Sequence, residues 1–503
     1  MVRTVLLWCF VFLLVCPCLG SAAFAQDEPP LPAGLGSEPS SEHDEPALPA
    51  GLAPEGKAAD EPALPPGLTI ETGTGQEPTL PEGLSKEVTE QEALEAKEPI
   101  PGRLFEFSGF WDARAGLRTQ EDPHEKGASL GETRLQLQAE THSQKTSATL
   151  TVDLLYDPVL DRHCVRLEEG DGFVDLREAN FVLTPAGFAD VKAGRQILTW
   201  GTGDLIFIND LFPKDWNAFF IGRDEEYLKA PSDALKVSFF AGVANLNIVY
   251  SPRFDADRFI DGRRISYFQP GLGRLAGRDA VIEAEKPDDW FEDDEVAVRL
   301  YRNVRGYELA AYGYHGFWKS PAGTNPSSGE ATFPDLWVYG ASIRGSMLGG
   351  IGHAEFGYYN SEDDRSGDDP FIRNSEFRIL AGYEQEVAKE LTMGVQYYLE
   401  HIIDYDDYCR ALPANIPKAD EDRHVLTARL TKLLMNQNLT LSLFAFYSPS
   451  DHDAYLRPKI QYRIDDHWSA EAGGNIFVGE DEYTFFGQFE KNSNIYSGVR
   501  YSF

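Results

Sequence analysis

Residues 133–156 read TRLQLQAETHSQKTSATLTVDLLY. Leu135, Leu137 and Ala139 recur at every second position, with Arg134, Gln136, Gln138 and Glu140 between them. After the short HSQKT reversal the rhythm resumes, and Leu150, Val152 and Leu154 stand opposite Thr149, Thr151 and Asp153. Successive side chains of a strand point to opposite faces, so each run has one apolar and one polar face. Two such runs joined by a short connection are antiparallel neighbours in a sheet with two different surroundings. The pattern returns in LTMGVQYYLE (391–400) and in YLRPKIQYR (455–463), where Leu456, Pro458, Ile460 and Tyr462 oppose Arg457, Lys459, Gln461 and Arg463.

The connections decide which kind of sheet this is. Short reversals such as HSQKT, PAGF, LGG and KE alternate with long segments near 120–130, 157–172, 200–232, 251–292, 319–335, 361–374, 403–421, 448–453 and 478–492. Transmembrane barrels have short turns at one end and longer loops at the other. A closed barrel also pairs every backbone polar group at membrane depth without helices. The predicted fold is therefore all-β: a transmembrane antiparallel up-and-down barrel over 104–503 with about 18 strands, 16 being the other count the segments allow. Aromatics bunched in GYHGFW (313–318) and EFGYY (355–359) are expected at membrane girdles.

The first hundred residues have another texture. Residues 1–25 place Arg3 before an apolar run that ends in Ala23-Phe24-Ala25, the form of a secretory signal peptide with an A-x-A cleavage site. From 26 to 103 the chain is expected to be a disordered periplasmic spacer. Residues 27–103 hold seventeen acidic against four basic residues and no aromatic, so they can bury little and repel themselves. Within them EPPLPAGL, EPALPAGL, EPALPPGL and EPTLPEGL begin at Glu28, Glu45, Glu61 and Glu77. Four copies of one phrase suit either a solvated spacer or a docking arm for a periplasmic partner. A net charge of −36 disfavours nucleic acid as a partner. Cys164 and Cys409 remain after signal removal, in the second and seventh long loops, where a disulfide across the pore mouth or two free thiols would both be allowed.

The third long segment is unusual. GRQILTWGTGDLIFINDLFPKDW (194–216) runs on through Leu205, Ile206, Phe207, Ile208, Leu211 and Phe212, which a loop in open water would not need. Folded into a wide barrel, the segment 200–232 would narrow the lumen, with Arg195, Gln196, Trp200, Asp204, Asp210, Lys214, Asp215 and Arg223 forming the constriction. Strict alternation would put Arg195 on the lipid side, so either Gly194 marks a bulge that turns it inward, the reading preferred here, or the residue sits near a membrane interface. Later inward positions Arg429, Arg457, Lys459, Arg463 and Arg500 form a basic strip, a path for anions in an otherwise acidic chain.

These phrases resemble a proteobacterial family of outer-membrane porin-like barrels of unassigned function. The match lies in Gly194, Arg195, Gln196, Trp200, Gly201, Asn209, Asp210, Lys214 and Asp215, a GRQ-x-x-x-WG strand end followed by an N-D turn, and extends to DLREANFVL (175–183). The final NIYSGVRYSF resembles the closing strand of bacterial outer-membrane proteins, and that resemblance implies that the barrel assembly machinery reads Phe503. A looser similarity holds to alginate-export and substrate-specific porins, which implies passage of a solute without naming one. The resemblance places the barrel in a Gram-negative outer membrane, in contact with lipid and lipopolysaccharide, with the N-terminal tail periplasmic.

Catalysis is not expected. Glu400 and His401 are adjacent and so point to opposite faces, and no G-x-S-x-G phrase occurs. SEDDRSGDDP (361–370) fails as a calcium loop, because counting from Glu362 puts Arg373 where a bidentate Glu is required. No metal site and no cofactor are therefore expected. The function expected is a porin-like channel for passive or facilitated passage of a small or extended polar or anionic solute. The alternative is an outer-membrane component of a multiprotein export system, or a structural or adhesion barrel, docked through its repeat tail.

Overall fold

The computed structural model describes residues 105–161 and 164–503, so the signal peptide and the repeat tail lie outside the described residues. Eighteen strands form the wall. They are β1 Glu106–Arg118, β2 Thr133–His142, β3 Thr146–Tyr156, β4 Val174–Ala186, β5 Ala189–Ile197 and β6 Pro231–Phe240. Then come β7 Asn245–Ser251, β8 Glu295–Val304, β9 Tyr307–Phe317, β10 Asp335–Met347, β11 Gly350–Ser361 and β12 Glu376–Ala388. The last six are β13 Leu391–Ile402, β14 Asp422–Leu434, β15 Leu439–Ser448, β16 Asp453–Arg463, β17 Trp468–Gly479 and β18 Asn494–Ser502.

Each strand pairs antiparallel with the next, and β1 pairs with β18 from Phe110↔Ser502 to Arg118↔Asn494, which closes the cylinder. Phe503 extends that seam: its N–H donates to Gly109 O and its carbonyl accepts from Gly109 N–H, at 3.0 and 3.1 Å. Nine connections leave one end and eight short turns the other; eight of the nine are long, while 449–452, expected to be long, is no longer than the turns 435–438 and 464–467.

The pleat sorts the side chains as the alternation predicts. On β2 and β3, Leu137 pairs with Val152 and Leu135 with Leu154 on the outer face, while Gln136 pairs with Asp153 inside. Leu137, Leu150, Leu154, Met393, Val395, Tyr397 and Ile460 are all exposed, forming an apolar outer surface for lipid. Among the described residues no helix is long and apolar enough to cross a membrane; the strands do so.

Two expectations about the wall are corrected. The register of β5 on β6 is continuous through Gly194↔Ala234 and Arg195↔Asp233, so no bulge lies at Gly194 and Arg195 keeps the outer face. It sits near the long-loop rim, under the second loop, paired with Asp233 at 3.1 Å and donating to Leu176 O and Glu168 O. The bulge is one strand earlier: Thr151 pairs with Glu178 and Val152 with Leu176, leaving Arg177 as the extra residue, turned inward. The aromatic clusters also divide. Phe356 is exposed, but Tyr314, Trp318 and Tyr359 are buried inside, because neighbours in a strand face opposite ways and the third loop needs rings to pack on.

Candidate functional site

The third loop, residues 198–230, lies inside the barrel. Its first part, 200–212, crosses to the wall formed by β9–β14. Trp200 packs edge-on against Phe212 at 4.9 Å and tilts over Tyr312 of β9 at 6.1 Å. The Glu355 carboxylate, on the inner face of β11, accepts the backbone N–H of Thr202, of Gly203 at 2.8 Å and of Asn209 at 3.3 Å, plus the Asn209 side-chain amide at 2.9 Å. Gln396 of β13 grips the backbone of Asp204 twice, at 2.7 and 2.9 Å. The Asp204 carboxylate takes both arms of Arg429 on β14, at 2.5 and 2.8 Å.

The second part carries a short helix, α1 Trp216–Ile221. Asp215 caps it by accepting from Ala218 N–H at 2.7 Å, which satisfies one of the free donors of the first turn. Phe220 then docks against Tyr455 and Phe477 at 5.4 and 5.1 Å, on the inner faces of β16 and β17. Gly222 ends the helix with φ 92°, and a Cβ there would meet the Tyr496 ring at 2.3 Å, so glycine alone fits. Next comes a single 3₁₀ turn, Glu225–Leu228. Its Tyr227 plugs a socket of the opposite wall, donating to Asp153 at 2.9 Å beneath the guanidinium of Arg134 at 4.1 Å.

The basic residues expected to form a strip are, Arg463 apart, engaged by acidic partners. Glu225 pairs with Arg457 at 3.1 Å and Arg429 at 3.8 Å. Glu226 pairs with Arg500 at 3.1 Å, and Asp224 with Arg500 and Arg114 at 3.5 and 3.6 Å. Lys459 is held by Glu471 at 3.1 Å. Arg429, Arg457 and Arg500 therefore meet the loop's own carboxylates, and Lys459 one from the wall, rather than presenting free cations to an anion. Arg463 departs from the strip and stands exposed at the short-turn end.

The remaining constriction candidates divide by role. Asp210 accepts from Thr199 at 2.7 Å and pairs with Lys214 at 2.9 Å, all inside the loop. Arg223 pairs with Glu132 at 2.6 Å and reaches Asp215 at 3.8 Å. Gln196 is fully buried on the inner face and spends its amide on Ala234 O at 2.9 Å, so it fixes the point where the loop leaves the wall. Arg195, outside, takes no part. Glu355, Gln396, Arg114, Arg177 and Tyr227 were not singled out from sequence. Alternation marks the wall residues among them as inward, but many inward polar positions exist, and nothing local distinguishes those that meet a loop.

Cys164 and Cys409 are both free thiols, so the disulfide is not formed. Their loops leave the barrel between β3 and β4 and between β13 and β14, on opposite sides of the mouth, whereas a disulfide needs Cα atoms within about 7 Å. Among the described residues no group of acidic, His and Cys side chains could hold a metal ion.

The fourth loop, 252–294, folds over the first two. Arg264 pairs with Asp157 at 2.5 Å, and Arg278 hydrogen-bonds Glu125 at 3.1 Å and Val159 O at 2.8 Å. The Glu125 side chain has no exposed surface, and this burial pushes its carboxyl up to about 7 against the pull of Arg278. An acid whose folded value exceeds its unfolded one near 4.5 stabilises the fold most when protonated, so the stability of this loop packing is greatest below that value and declines as pH rises through about 7. Hydrogen-exchange protection factors for the amides of 124–127 should fall between pH 5 and pH 8, and Glu125→Gln should remove that fall.

No protein-family model matches the chain, and no curated protein does. Solved structures similar in shape include two Acinetobacter baumannii proteins, OccAB4 and OccAB3, each 10% identical with a TM-score of 0.49. The first alignment covers 81% of this chain and 100% of the other, the second 79% and 99%. The outer membrane channel DcaP of the same organism is 10% identical over 79% of this chain and 97% of its own, with a TM-score of 0.39.

Proposed function

We propose that this chain is an outer-membrane channel for passive passage of a small solute, its bore narrowed by the third loop. The observation that carries the reading is the way the loop is held. It is tied by side chains to Glu355, Gln396 and Arg429 on one side of the lumen, and to Arg457, Arg500, Arg114, Asp153 and Arg177 on the other. A loop anchored on both sides restricts the bore at mid-depth while the wall stays whole. With the short-turn end in the periplasm, where β1 begins, the repeat tail would emerge on that side as spacer or docking arm.

Purified protein in planar lipid bilayers tests this directly. Discrete conductance steps are expected, and replacing residues 202–211 with a Gly-Ser linker of equal length should raise the step at least ~3-fold, since ion flow follows the narrowest section. An electrically silent barrel would remove the channel reading. Unchanged steps in the linker variant would remove the constriction.

A further inference from the structure

Between the third loop, the fourth loop and the inner wall, toward the long-loop end, lies a cavity of roughly 500 Å³. That is the size class of small-molecule sites. Phe207, Trp216, Phe219, Phe446, Phe486 and Phe489 supply its apolar surface. Their rings meet edge to face, as at Trp216 and Phe219, whose planes lie 85° apart with centroids 6.1 Å apart. Such walls receive a flat apolar body well.

Charged groups also reach the cavity, and each is already matched. Arg373 pairs with Glu376 at 2.9 Å and Glu400 at 3.2 Å, and Arg378 pairs with Glu376 and lies 3.7 Å from Glu400. The flat faces of these two guanidiniums are covered too, Arg373 by Trp318 at 4.8 Å and Arg378 by Tyr359 at 4.0 Å. Arg423 is held by Asp451 at 2.7 Å, Lys214 by Asp210 at 2.9 Å, and Lys319 by Glu295. Asp257 accepts the Lys214 N–H at 2.7 Å, the Trp216 indole at 3.0 Å and the Ser320 hydroxyl at 2.6 Å. An incoming anion would have to displace a carboxylate from its cation, and an incoming cation the reverse. An uncharged solute displaces neither, and its one polar group can share the outer edge of the Arg373–Glu400 pair.

We infer that this cavity is a binding site for an uncharged aromatic solute bearing a hydroxyl-type polar end, held above the constriction. The inference deepens the channel reading by naming a solute class, and rests on it for the statement that the solute passes onward. The chain in lipid nanodiscs, titrated calorimetrically at pH 7 with 2-naphthol and with 2-naphthoate, separates neutral from ionised probes of similar size. The naphthol should bind at least ~10-fold tighter than the naphthoate, a difference expected when matched charges must be broken. Phe219→Asp should abolish naphthol binding. Because a buried substitution of that kind can block assembly, Glu400→Gln gives a second arm: with Arg373 and Arg378 short of one carboxylate, preference should swing toward the naphthoate by about 10-fold. Equal or tighter naphthoate binding by the unaltered barrel overturns the inference, as does naphthol uptake no greater than in protein-free nanodiscs. A silent barrel that still binds naphthol sinks permeation and keeps the site; a conducting barrel that does not bind it does the opposite.

Discussion

Glu355→Ala should release the first half of the third loop and give a larger, noisier conductance than the parent barrel. The carboxylate is buried, at 3% exposure, and among the described residues no cation pairs with it; its partners are the loop donors of Thr202, Gly203 and Asn209. Each donor left without a partner costs about 1–3 kcal/mol, so losing the four of them costs at least ~4 kcal/mol, enough to detach a local segment. The wall should survive, because β11 is held to its neighbours through backbone pairs at Glu355↔Ser342 and Glu355↔Leu380. Chymotrypsin supplies an independent readout: cleavage at Leu205 and Phe207 should appear in the alanine variant and be weaker in Glu355→Gln, which keeps one acceptor oxygen. Parental conductance together with parental protease resistance would show that the loop is held elsewhere.

The combined change Asp224→Asn, Glu225→Gln and Glu226→Gln should turn the pore toward anions. These three side chains are partly exposed, at 23%, 41% and 46%, and are the nearest counter-charges the loop offers to Arg114, Arg457 and Arg500. Solvent screens such pairs, so each is worth about 1 kcal/mol or less. Three charges removed from one cross-section still add up for a passing ion, and the chloride-to-potassium permeability ratio should rise about 10-fold, which corresponds to ~1.4 kcal/mol. Reversal potentials across a salt gradient measure it. An unchanged ratio would mean that the strip is not on the ion path. On this reading the loop's three carboxylates mask the basic strip expected from sequence, and the triple change would expose it.

Strand number and the sorting of faces were legible because a two-residue period survives in the linear order, and the alternation of short and long connections needs no third dimension. The third loop's place inside could likewise be argued from the cost of leaving Leu205 to Phe212 in water. Partners were another matter. Asp204 and Arg429 are 225 positions apart, and parity tells which face Arg429 uses but neither its height nor its bearing around the cylinder. Arg195 shows the converse error. Its charge argued for the lumen, but a rim position sheltered by the Glu168 carbonyl and Asp233 makes an outward arginine tolerable. Tyr359 and Phe356 show why girdle counting from adjacent aromatics fails: one lies inside and the other outside.

The join between β1 and β18 unites the first and last strands of the wall, with Asp112 and Arg500 388 positions apart in the chain yet 3.0 Å apart in space. Such a seam forms late, since long-range pairing must wait for the intervening chain to be ordered. The third loop touches both of its edges: Arg114 holds Gly222 O at 3.0 Å and Asn494 holds Phe220 O at 3.0 Å. The loop proposed to narrow the passage thus also bridges the two edges of the ring, and loosening it at Gly222 should slow assembly as well as widen flow.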